Sequence, residues 1–242
     1  ENLLKHFKKY GPPRVPLWVN LGKSKTTPLE DAHTDYATTM KLLWPFTDVF
    51  VVNVSSPNTP NLRELQKDEG LIKILDACHQ VNTEMDAKGS GKPILVKVAP
   101  DLTDEQLEHF VHTSRSNGAS GIVLSNTTLV RPQGKNSKEV KVFEETGGLS
   151  GRPLFDRSTE MIRIVNRLTD GEWPIVGVGG IMSAADAWKK INAGATLLQA
   201  YSGFVFEGPS LTKSVVNGLH RQLNNHGYTS LNHAVGKEKD SS

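Results

Sequence analysis

The sequence predicts an α/β protein whose strands form a parallel sheet, and three observations lead to this prediction. Short runs of apolar and β-branched residues alternate along the chain with longer segments of helical periodicity. The runs are apolar at nearly every position, as expected for strands that are covered on both faces. No change of composition and no long linker divides the 242 residues, so we expect one domain over residues 1–242.

Six runs satisfy this description, and we expect each of them to form a strand. Their positions are 15–21, 48–54, 93–98, 121–124, 174–178 and 196–201. Because helical segments separate the runs, the order of elements predicts right-handed βαβ units in which consecutive strands are parallel.

Local signals mark where several helices begin. A threonine followed three residues later by glutamate or glutamine is a capping box, and this pattern occurs at Thr27 and at Thr103. Ser183 is expected to begin a third helix. Two further helices are expected at residues 154–168 and 211–223.

The composition argues against several classes of protein. With 28 basic and 26 acidic residues the net charge is +2, which gives no electrostatic case for nucleic-acid binding. No apolar run reaches the length of a membrane span. The single cysteine, Cys78, allows no internal disulfide and falls in a helical apolar pattern, so we expect it to pack in the core. His109 and His112 share one helix face without a third candidate ligand, and no metal site is predicted.

Asparagine recurs where the predicted strands end. In parallel α/β folds ligands bind at this edge of the sheet. The four residues are Asn20, Asn53, Asn58 and Asn126. One asparagine at a strand end is an ordinary turn former, but four at one edge favour a neutral polar ligand. Amide groups both donate and accept hydrogen bonds, so they match an imide or ureide edge.

Three glycine-rich segments follow near the end of the chain, at residues 147–151, 177–180 and 201–203. They are typical of tight turns or of a phosphate site, since glycine lets backbone N–H groups approach a phosphate. Barrels commonly hold phosphate after strands seven and eight. We therefore favour a (β/α)8 barrel with about six of its eight βα units present, strands 3 to 8, over an open doubly wound sheet.

Lys97 lies inside an apolar run, and three interpretations of it stay open. It could form a Schiff base, as in aldolase-type barrels. It could hold negative charge on a reduced flavin ring. It could also be an edge residue whose ammonium reaches water. The neutral asparagines nearby favour the flavin interpretation.

The residues at these strand ends resemble a known family. The sequence NVSSPNT at residues 53–59 resembles the active-site loop of class 2, serine-type dihydroorotate dehydrogenases. Other segments resemble further parts of that family in the same order, at residues 19–23, 97–100, 125–128, 146–154 and 177–180. The matches cover nearly the whole chain, which is identified on them as a member of this family with an FMN-binding barrel.

The resemblance implies a reaction of de novo pyrimidine biosynthesis. Dihydroorotate loses a proton from C5 to a base and a hydride from C6 to FMN, orotate leaves, and the electrons pass to a quinone. In class 2 the base is a serine, which by position is Ser56. Class 1 has a cysteine in that place, and Cys78 lies outside the loop, so class 1 is disfavoured. A serine hydroxyl is a weak base and needs a relay through water or a neighbouring hydroxyl.

The resemblance also implies three groups of site residues. Those that would bind the substrate are Asn53, Asn58, Asn126 and Thr127. Those that would contact the flavin ring and ribityl chain are Asn20, Asn53, Lys97 and Ser125. Those that would hold the FMN phosphate are Gly151, Gly180, Tyr201 and Ser202.

The family pattern and this sequence differ at the N-terminus. Family members begin with a helical quinone-binding module and two further strands, which do not precede Glu1 in this sequence. The resemblance thus implies that quinone binding and membrane association depend on that module, and that FMN binds weakly or not at all to residues 1–242 alone. The implied location is the mitochondrial inner membrane or, alternatively, the periphery of a bacterial plasma membrane. Residues 131–145 are expected to form a mobile rim loop.

Two other functions stay open on the residues alone. One is a flavin-free aldolase or isomerase barrel that acts on a phosphorylated sugar with Lys97 as nucleophile. The other is a non-catalytic fragment, which would have an open sheet edge.

Overall fold

A computed structural model describes residues 2–86, 89, 91–134 and 136–237, apart from the side chains of residues 137–139. Its six strands stand in chain order in one sheet. The chain divides into two compact units. The first comprises Glu1–Ser55, Thr59–Lys97 and Phe110–Gly121, and the second Ser56–Asn58, Val98–His109 and Ile122–Ser242.

All six expected strands are present, each within the range that the sequence predicts. They are β1 Trp18–Leu21, β2 Val49–Asn53, β3 Ile94–Val98, β4 Gly121–Leu124, β5 Ile175–Val178 and β6 Leu197–Gln199. In the first unit β1 pairs with β2 and β2 with β3, both in parallel. In the second unit β4 pairs with β5 and β5 with β6, also in parallel.

The helices alternate with these strands as expected. Their bounds are α1 Asn2–Tyr10, α2 Ala32–Leu43, α3 Asp68–Met85, α4 Asp104–Ser116, α5 Ser137–Phe143, α6 Phe155–Leu168, α7 Ala184–Asn192, α8 Ser202–Glu207 and α9 Ser210–His226. Strands β2 to β5 are buried almost throughout, which explains why their sequences are apolar at nearly every position.

Two of the three expected helix starts are confirmed. Thr103 and Gln106 form a reciprocal capping box, in which the Thr103 N–H donates to Oε1 of Gln106 at 3.0 Å and the Gln106 N–H donates to Oγ1 of Thr103 at 3.2 Å. Ser183 caps α7 by accepting from the N–H of Asp186 at 3.2 Å. The sequence of expected strands and helices therefore holds through both units.

The expected helix start at Thr27 is wrong, because α2 begins at Ala32. The hydroxyl of Thr27 lies 2.8 Å from that of Ser24, and its N–H donates to the same Ser24 oxygen at 3.2 Å. A local turn stabilised by hydroxyl groups thus competes with the helix, which begins later than expected, at Ala32.

Cys78 is fully buried in α3, as the apolar pattern predicts. Burial raises the pKa of its thiol to about 12, so the thiolate is absent at neutral pH. The side chain is therefore a packing group of the first unit.

The second unit buries a lysine completely. The ammonium of Lys190 in α7 donates to the hydroxyls of Ser158 at 2.7 Å and Thr159 at 3.0 Å. It also lies 4.9 Å from the centre of the Phe155 ring. Burial lowers the pKa of Lys190 from 10.5 to about 7, because the charged form loses its hydration.

We expect Lys190→Met to raise the free energy of unfolding at pH 7 by roughly 1–3 kcal/mol, because it removes a poorly hydrated charge. Ser158 and Thr159 keep an acceptor in the carbonyl oxygen of Phe155. Below about pH 7, Lys190 of the wild type is protonated in both the folded and the unfolded state. Between about pH 7 and pH 10.5 it is protonated only in the unfolded state. Wild-type stability should therefore rise towards that of the variant between pH 7 and 9. Urea unfolding of both proteins at the two pH values measures this, and a gap that widens with pH contradicts it.

Candidate functional site

The first unit carries Asn20, Asn53 and Lys97 at or near the ends of three neighbouring strands. The register places Asn20 opposite Val51 and Asn53 opposite Lys97. Because residues two apart in a strand share a face, all three side chains lie on the same face of this part of the sheet. The strand ends thus present two amides and one ammonium together.

Asn53 is held from two sides. Its backbone carbonyl oxygen accepts a hydrogen bond from the hydroxyl of Tyr36 at 2.8 Å, and the Tyr36 ring is fully buried. Its side-chain Oδ1 accepts from the hydroxyl of Ser55 at 2.9 Å and from the Ser55 N–H at 3.3 Å. These bonds fix both the end of β2 and the plane of the amide. No sequence motif pointed to Tyr36, which binds this oxygen from α2.

Ser55 and Ser56 differ sharply in their surroundings. Ser55 is fully buried and its hydroxyl is engaged by Asn53, while Ser56 is partly exposed. In the second unit the N–H of Asn58 donates to Oγ of Ser56 at 3.2 Å. Of the two hydroxyls, that of Ser56 is the one accessible to a ligand.

Lys97 is half-buried between the buried residues Val96 and Val98 of β3. Loss of hydration lowers the pKa of its ammonium. A lysine with a lowered pKa fits both the Schiff-base and the flavin interpretation, so its ionisation does not separate them.

In the second unit the loop 146–150 packs against expected substrate-binding residues. A Cβ on Gly148 would overlap the side chain of Thr127 and stand 2.9 Å from Cγ of Pro57. A Cβ on Gly147 would stand 3.4 Å from Oδ1 of Asn58. The sequence suggested a phosphate role for these two glycines, but the structure places them against the Ser56–Asn58 loop and Thr127.

The end of β4 is fixed by its own hydrogen bonds. The N–H of Asn126 donates to the carbonyl oxygen of Val98 at 2.9 Å, and the N–H of Thr127 donates to Oδ1 of Asn126 at 2.8 Å. The hydroxyl of Ser125, which is 2% exposed, donates to the carbonyl oxygen of Asn126 at 3.2 Å. Ser125, Asn126 and Thr127 therefore form one ordered turn.

Asp101 anchors the following residues, and its position directly after β3 was the available sequence signal. Its carboxylate accepts from the hydroxyl of Thr128 and, at 3.1 Å, from the N–H of Leu129. Thr128 also exchanges two backbone hydrogen bonds with Leu149, at 3.0 and 2.8 Å. The expected substrate turn is thereby tied to the glycine segment.

The expected rim loop contains the short helix α5. Lys135 and the side chains of residues 137–139 lie outside the described structure, and the expected mobility of the loop stays a prediction. Arg131 joins the two ends of the loop. Its guanidinium donates to four backbone carbonyl oxygens, those of Thr128 (3.1 Å), Phe143 (3.1 Å), Glu145 (3.3 Å) and Gly147 (2.6 Å).

We expect Arg131→Ala to loosen residues 129–146 without unfolding the protein, because only this side chain would be lost from the four carbonyl contacts. Hydrogen exchange of backbone amides in this segment should speed up by at least about tenfold, the equivalent of 1.4 kcal/mol of local opening. Lys141→Ala removes the same charge from an exposed position of the same loop and is the control. Equal exchange rates in the two variants would show that the Arg131 side chain does not hold the ends of the loop together.

Glycine lets three turns of the second unit approach closely. Gly151 and Gly180 have φ values of 85° and 70°, in the left-handed region. A Cβ on Gly180 would stand 2.6 Å from Cβ of Phe155, and a Cβ on Gly203 would overlap the carbonyl oxygen of Ile181. The turns that follow β5 and β6 therefore pack on each other and on α6.

Hydroxyl groups accompany these turns. Oγ of Ser150 lies 2.9 Å from Oγ of Ser202, and a Cβ on Gly151 would stand 3.5 Å from Cβ of Ser202. Tyr201 precedes α8, and its side chain is 74% exposed. Hydroxyls and closely spaced backbone N–H groups are the donors that phosphate oxygens need.

Asp186 follows the turn at Gly180 in sequence, and the negative charge of its carboxylate is balanced by hydrogen-bond donors that include Arg152. It accepts from Arg152 at 2.7 Å, from the hydroxyl of Ser183 at 2.9 Å and from the N–H of Met182 at 3.1 Å. Burial alone would raise the pKa of Asp186, but these hydrogen bonds outweigh it and lower the pKa. The donor set is thus compatible with an anion.

Among the described residues there is neither a cluster of metal ligands nor a helix that could span a membrane. In that part of the chain no three His, Cys, Asp or Glu side chains are grouped as metal ligands. Each helix there is too short or too polar to cross a bilayer.

A parallel α/β sheet with amides at its strand ends and glycine-rich turns after its last two strands is the pattern of ligand-binding (β/α)-barrel proteins. The family model of dihydroorotate dehydrogenase matches residues 1–223. The chain belongs to the dihydroorotate dehydrogenase family, as the resemblance indicates.

Individual relatives agree with this assignment. The chain is 46% identical over 228 residues to a dihydroorotate dehydrogenase (quinone) of Nostoc punctiforme, covering 93% of this chain and 59% of the relative. It is 46% identical over 227 residues to the protein of that name from Trichodesmium erythraeum, covering 91% and 58%. The chain therefore spans somewhat more than half the length of the curated relatives it matches.

Solved structures confirm the fold. The dihydroorotate dehydrogenase of Eimeria tenella in complex with ferulenol superimposes with a TM-score of 0.84 at 31% identity, covering 96% of this chain and 65% of that one. The ligand-free form gives 0.85 at 31%, covering 97% and 68%. The six-stranded sheet is thus part of a (β/α)8 barrel, and the alternative of an open doubly wound sheet is set aside.

Proposed function

We propose that the protein oxidises dihydroorotate to orotate with FMN as cofactor and quinone as the final electron acceptor, in de novo pyrimidine biosynthesis. The observation that carries the proposal is the loop Ser56–Asn58. It presents an accessible serine hydroxyl and packs against Gly147 and Gly148, and Thr127 packs against Gly148. The names of the cyanobacterial relatives support the same substrate and acceptor.

Ser56 is the proposed base that removes the C5 proton. The Asn58 N–H that donates to its Oγ at 3.2 Å stabilises negative charge on that oxygen, which lowers the cost of forming an alkoxide-like group. The buried hydroxyl of Ser55 orients Asn53 instead. This division of roles explains why two adjacent serines serve different purposes.

The amides are proposed to recognise the substrate. Asn53, Asn58, Asn126 and Thr127 supply donors and acceptors for a carboxylate and for the ring edges of a cyclic ureide. Asn53 and the turn at Asn126 are fixed by internal hydrogen bonds, so little conformational entropy is lost when the substrate binds.

The residues of the glycine turns fit the phosphate of FMN. A Cβ on Gly180 or Gly203 would collide with neighbouring backbone or side chains, so the turns can adopt this close packing only with glycine. Gly151, Gly180, Tyr201 and Ser202 are proposed to hold the phosphate, and Asn20, Asn53, Lys97 and Ser125 the remainder of the cofactor. Bound FMN supplies the acceptor for the hydride from C6. Lys97 is proposed to place a positive charge beside the flavin ring.

Quinone and membrane contacts are proposed for an N-terminal module beyond these 242 residues. We place the protein at the periphery of a bacterial plasma membrane. The cyanobacterial curated relatives support this alternative, whereas they give no support to the mitochondrial inner membrane that was first implied.

The test is an anaerobic absorption spectrum of the full-length protein before and after addition of dihydroorotate. We expect flavin bands that bleach on addition. If the flavin bands persist, the assignment of a flavin cofactor stands, but dihydroorotate is not the substrate. A spectrum without flavin bands would reject the cofactor, and trapping of a Lys97 imine by borohydride would then support the aldolase-type alternative.

A further inference from the structure

The buried lysine of the second unit has a feature that packing does not explain. Lys190 is completely buried, and among the residues that the structure describes its hydrogen-bond partners are the neutral hydroxyls of Ser158 and Thr159. No ion pair with a carboxylate is found for it in the same part of the chain. Two neutral hydroxyls do not compensate an ammonium for its lost hydration.

The contacts of Lys190 place it directly behind a glycine turn. Ser158, which accepts from the ammonium at 2.7 Å, also contacts the carbonyl oxygen of Gly179 at 3.4 Å. A Cβ on Gly179 would stand 2.7 Å from the same Ser158 oxygen. Gly180 packs against Phe155, whose ring lies 4.9 Å from the ammonium. One layer of side chains therefore separates Lys190 from the backbone of the turn.

The charges around Lys190 do not cancel it. Asp186, on the same helix, is engaged by Arg152 at 2.7 Å, and α6 contributes Asp156 and Arg163 at longer range. Lys189 is exposed and lies 6.0 Å from the Phe155 ring. Glu160 pairs with Arg163 at 2.9 Å, so with Lys190 itself these seven side chains sum to +1, from four cations and three anions.

We propose that Lys190 is a positioning residue for the cofactor phosphate: its buried ammonium supplies a fixed positive charge behind the Gly179–Gly180 turn. The inference rests on the proposed function, since it needs a phosphate at that turn. A phosphate dianion on the far side of the turn would add to the negative charge of Asp186 and Asp156, neither of which forms an ion pair with the ammonium among the described residues. An interaction across this layer of side chains is weakly screened, because Ser158 and Phe155 are both buried.

The test compares two flavins that differ only by the phosphate. Full-length apoprotein is titrated with FMN and with riboflavin, and binding is followed by quenching of flavin fluorescence. We expect Lys190→Met to weaken FMN binding by on the order of tenfold or more, while riboflavin binding changes less than about twofold. Lys189→Met removes an exposed, solvated charge one residue away, so it should change neither affinity by more than about twofold.

A second readout uses pH. Lys190 loses its proton near pH 7 in the absence of phosphate. The FMN affinity of the wild type should therefore fall as the pH rises above 7, relative to that of Lys190→Met. A role in packing alone would not produce this difference.

The outcomes separate the two proposals. If the wild type binds FMN and Lys190→Met binds both flavins as the wild type does, or loses both equally, the inference is wrong and the proposed function stands. If the wild type binds neither flavin, the proposed function fails and the inference fails with it. Because Lys190→Met removes a buried charge without enlarging the side chain, it should fold; Lys190→Gln is a second neutral variant that must give the same selectivity for FMN.

Discussion

Replacing Ser56 with alanine should lower kcat for dihydroorotate oxidation by about 10²–10⁴-fold, the usual contribution of a positioned proton acceptor. The variant should keep its flavin spectrum, because Ser56 lies in the substrate loop and not in the glycine turns. The measurement is steady-state oxidation of dihydroorotate by the full-length protein with a quinone acceptor, together with the flavin absorbance of each preparation.

Ser55→Ala is the matched control for this prediction. It removes a hydroxyl of the same kind one residue away, and its effect acts through the orientation of Asn53. We expect a loss of less than about tenfold, the equivalent of one hydrogen bond. If Ser55→Ala were the more damaging change and Ser56→Ala kept more than a tenth of the wild-type kcat, Ser56 would not be the base.

Gly180→Ala should lower the free energy of unfolding by about 2–5 kcal/mol and weaken FMN binding at least about a hundredfold. The left-handed backbone conformation costs a residue with a Cβ about 1–2 kcal/mol, and the new Cβ would meet Phe155 at 2.6 Å. Relieving that overlap must shift the turn or α6, which adds about 1–3 kcal/mol and displaces the proposed phosphate donors.

Gly227→Ala separates the two effects. Gly227 has a φ of 67°, close to the 70° of Gly180, but a Cβ there would meet no atom within 4 Å. This variant should lose only about 1–2 kcal/mol of stability and none of its FMN affinity. Unfolding in urea and flavin titration measure both quantities, and equal losses in the two variants would mean that the contact with Phe155 is unimportant.

Strands β2 to β5 could be predicted from sequence because burial on both faces leaves a nearly continuous apolar pattern. β4 matches its expected bounds of Gly121 and Leu124 fully. The same logic located Asn20, Asn53 and Lys97, since the carboxyl ends of parallel strands share one edge. The helix start at Thr27 could not be predicted correctly, because the competing turn depends on how Ser24 is placed.

Contacts between distant segments could not be read from local pattern. Tyr36 binds the carbonyl oxygen of Asn53 across 17 positions, and Arg131 reaches Gly147 across 16. Gly148 looked like a phosphate residue, but its role follows from the approach of Thr127. The burial of Lys190 was hidden because a charged residue late in a helix usually faces water.

The hydrogen bonds of Arg131 to both ends of the rim loop make this loop suitable for insertions. One guanidinium binds carbonyl groups near both ends of the rim loop, so the two ends are held in place. The segment between residues 132 and 142 connects these fixed ends. The entropic cost of closing a loop rises only slowly with its length. A short peptide tag or a fluorophore-binding sequence inserted there should leave the turn at Thr127 and its packing against Gly148 in place.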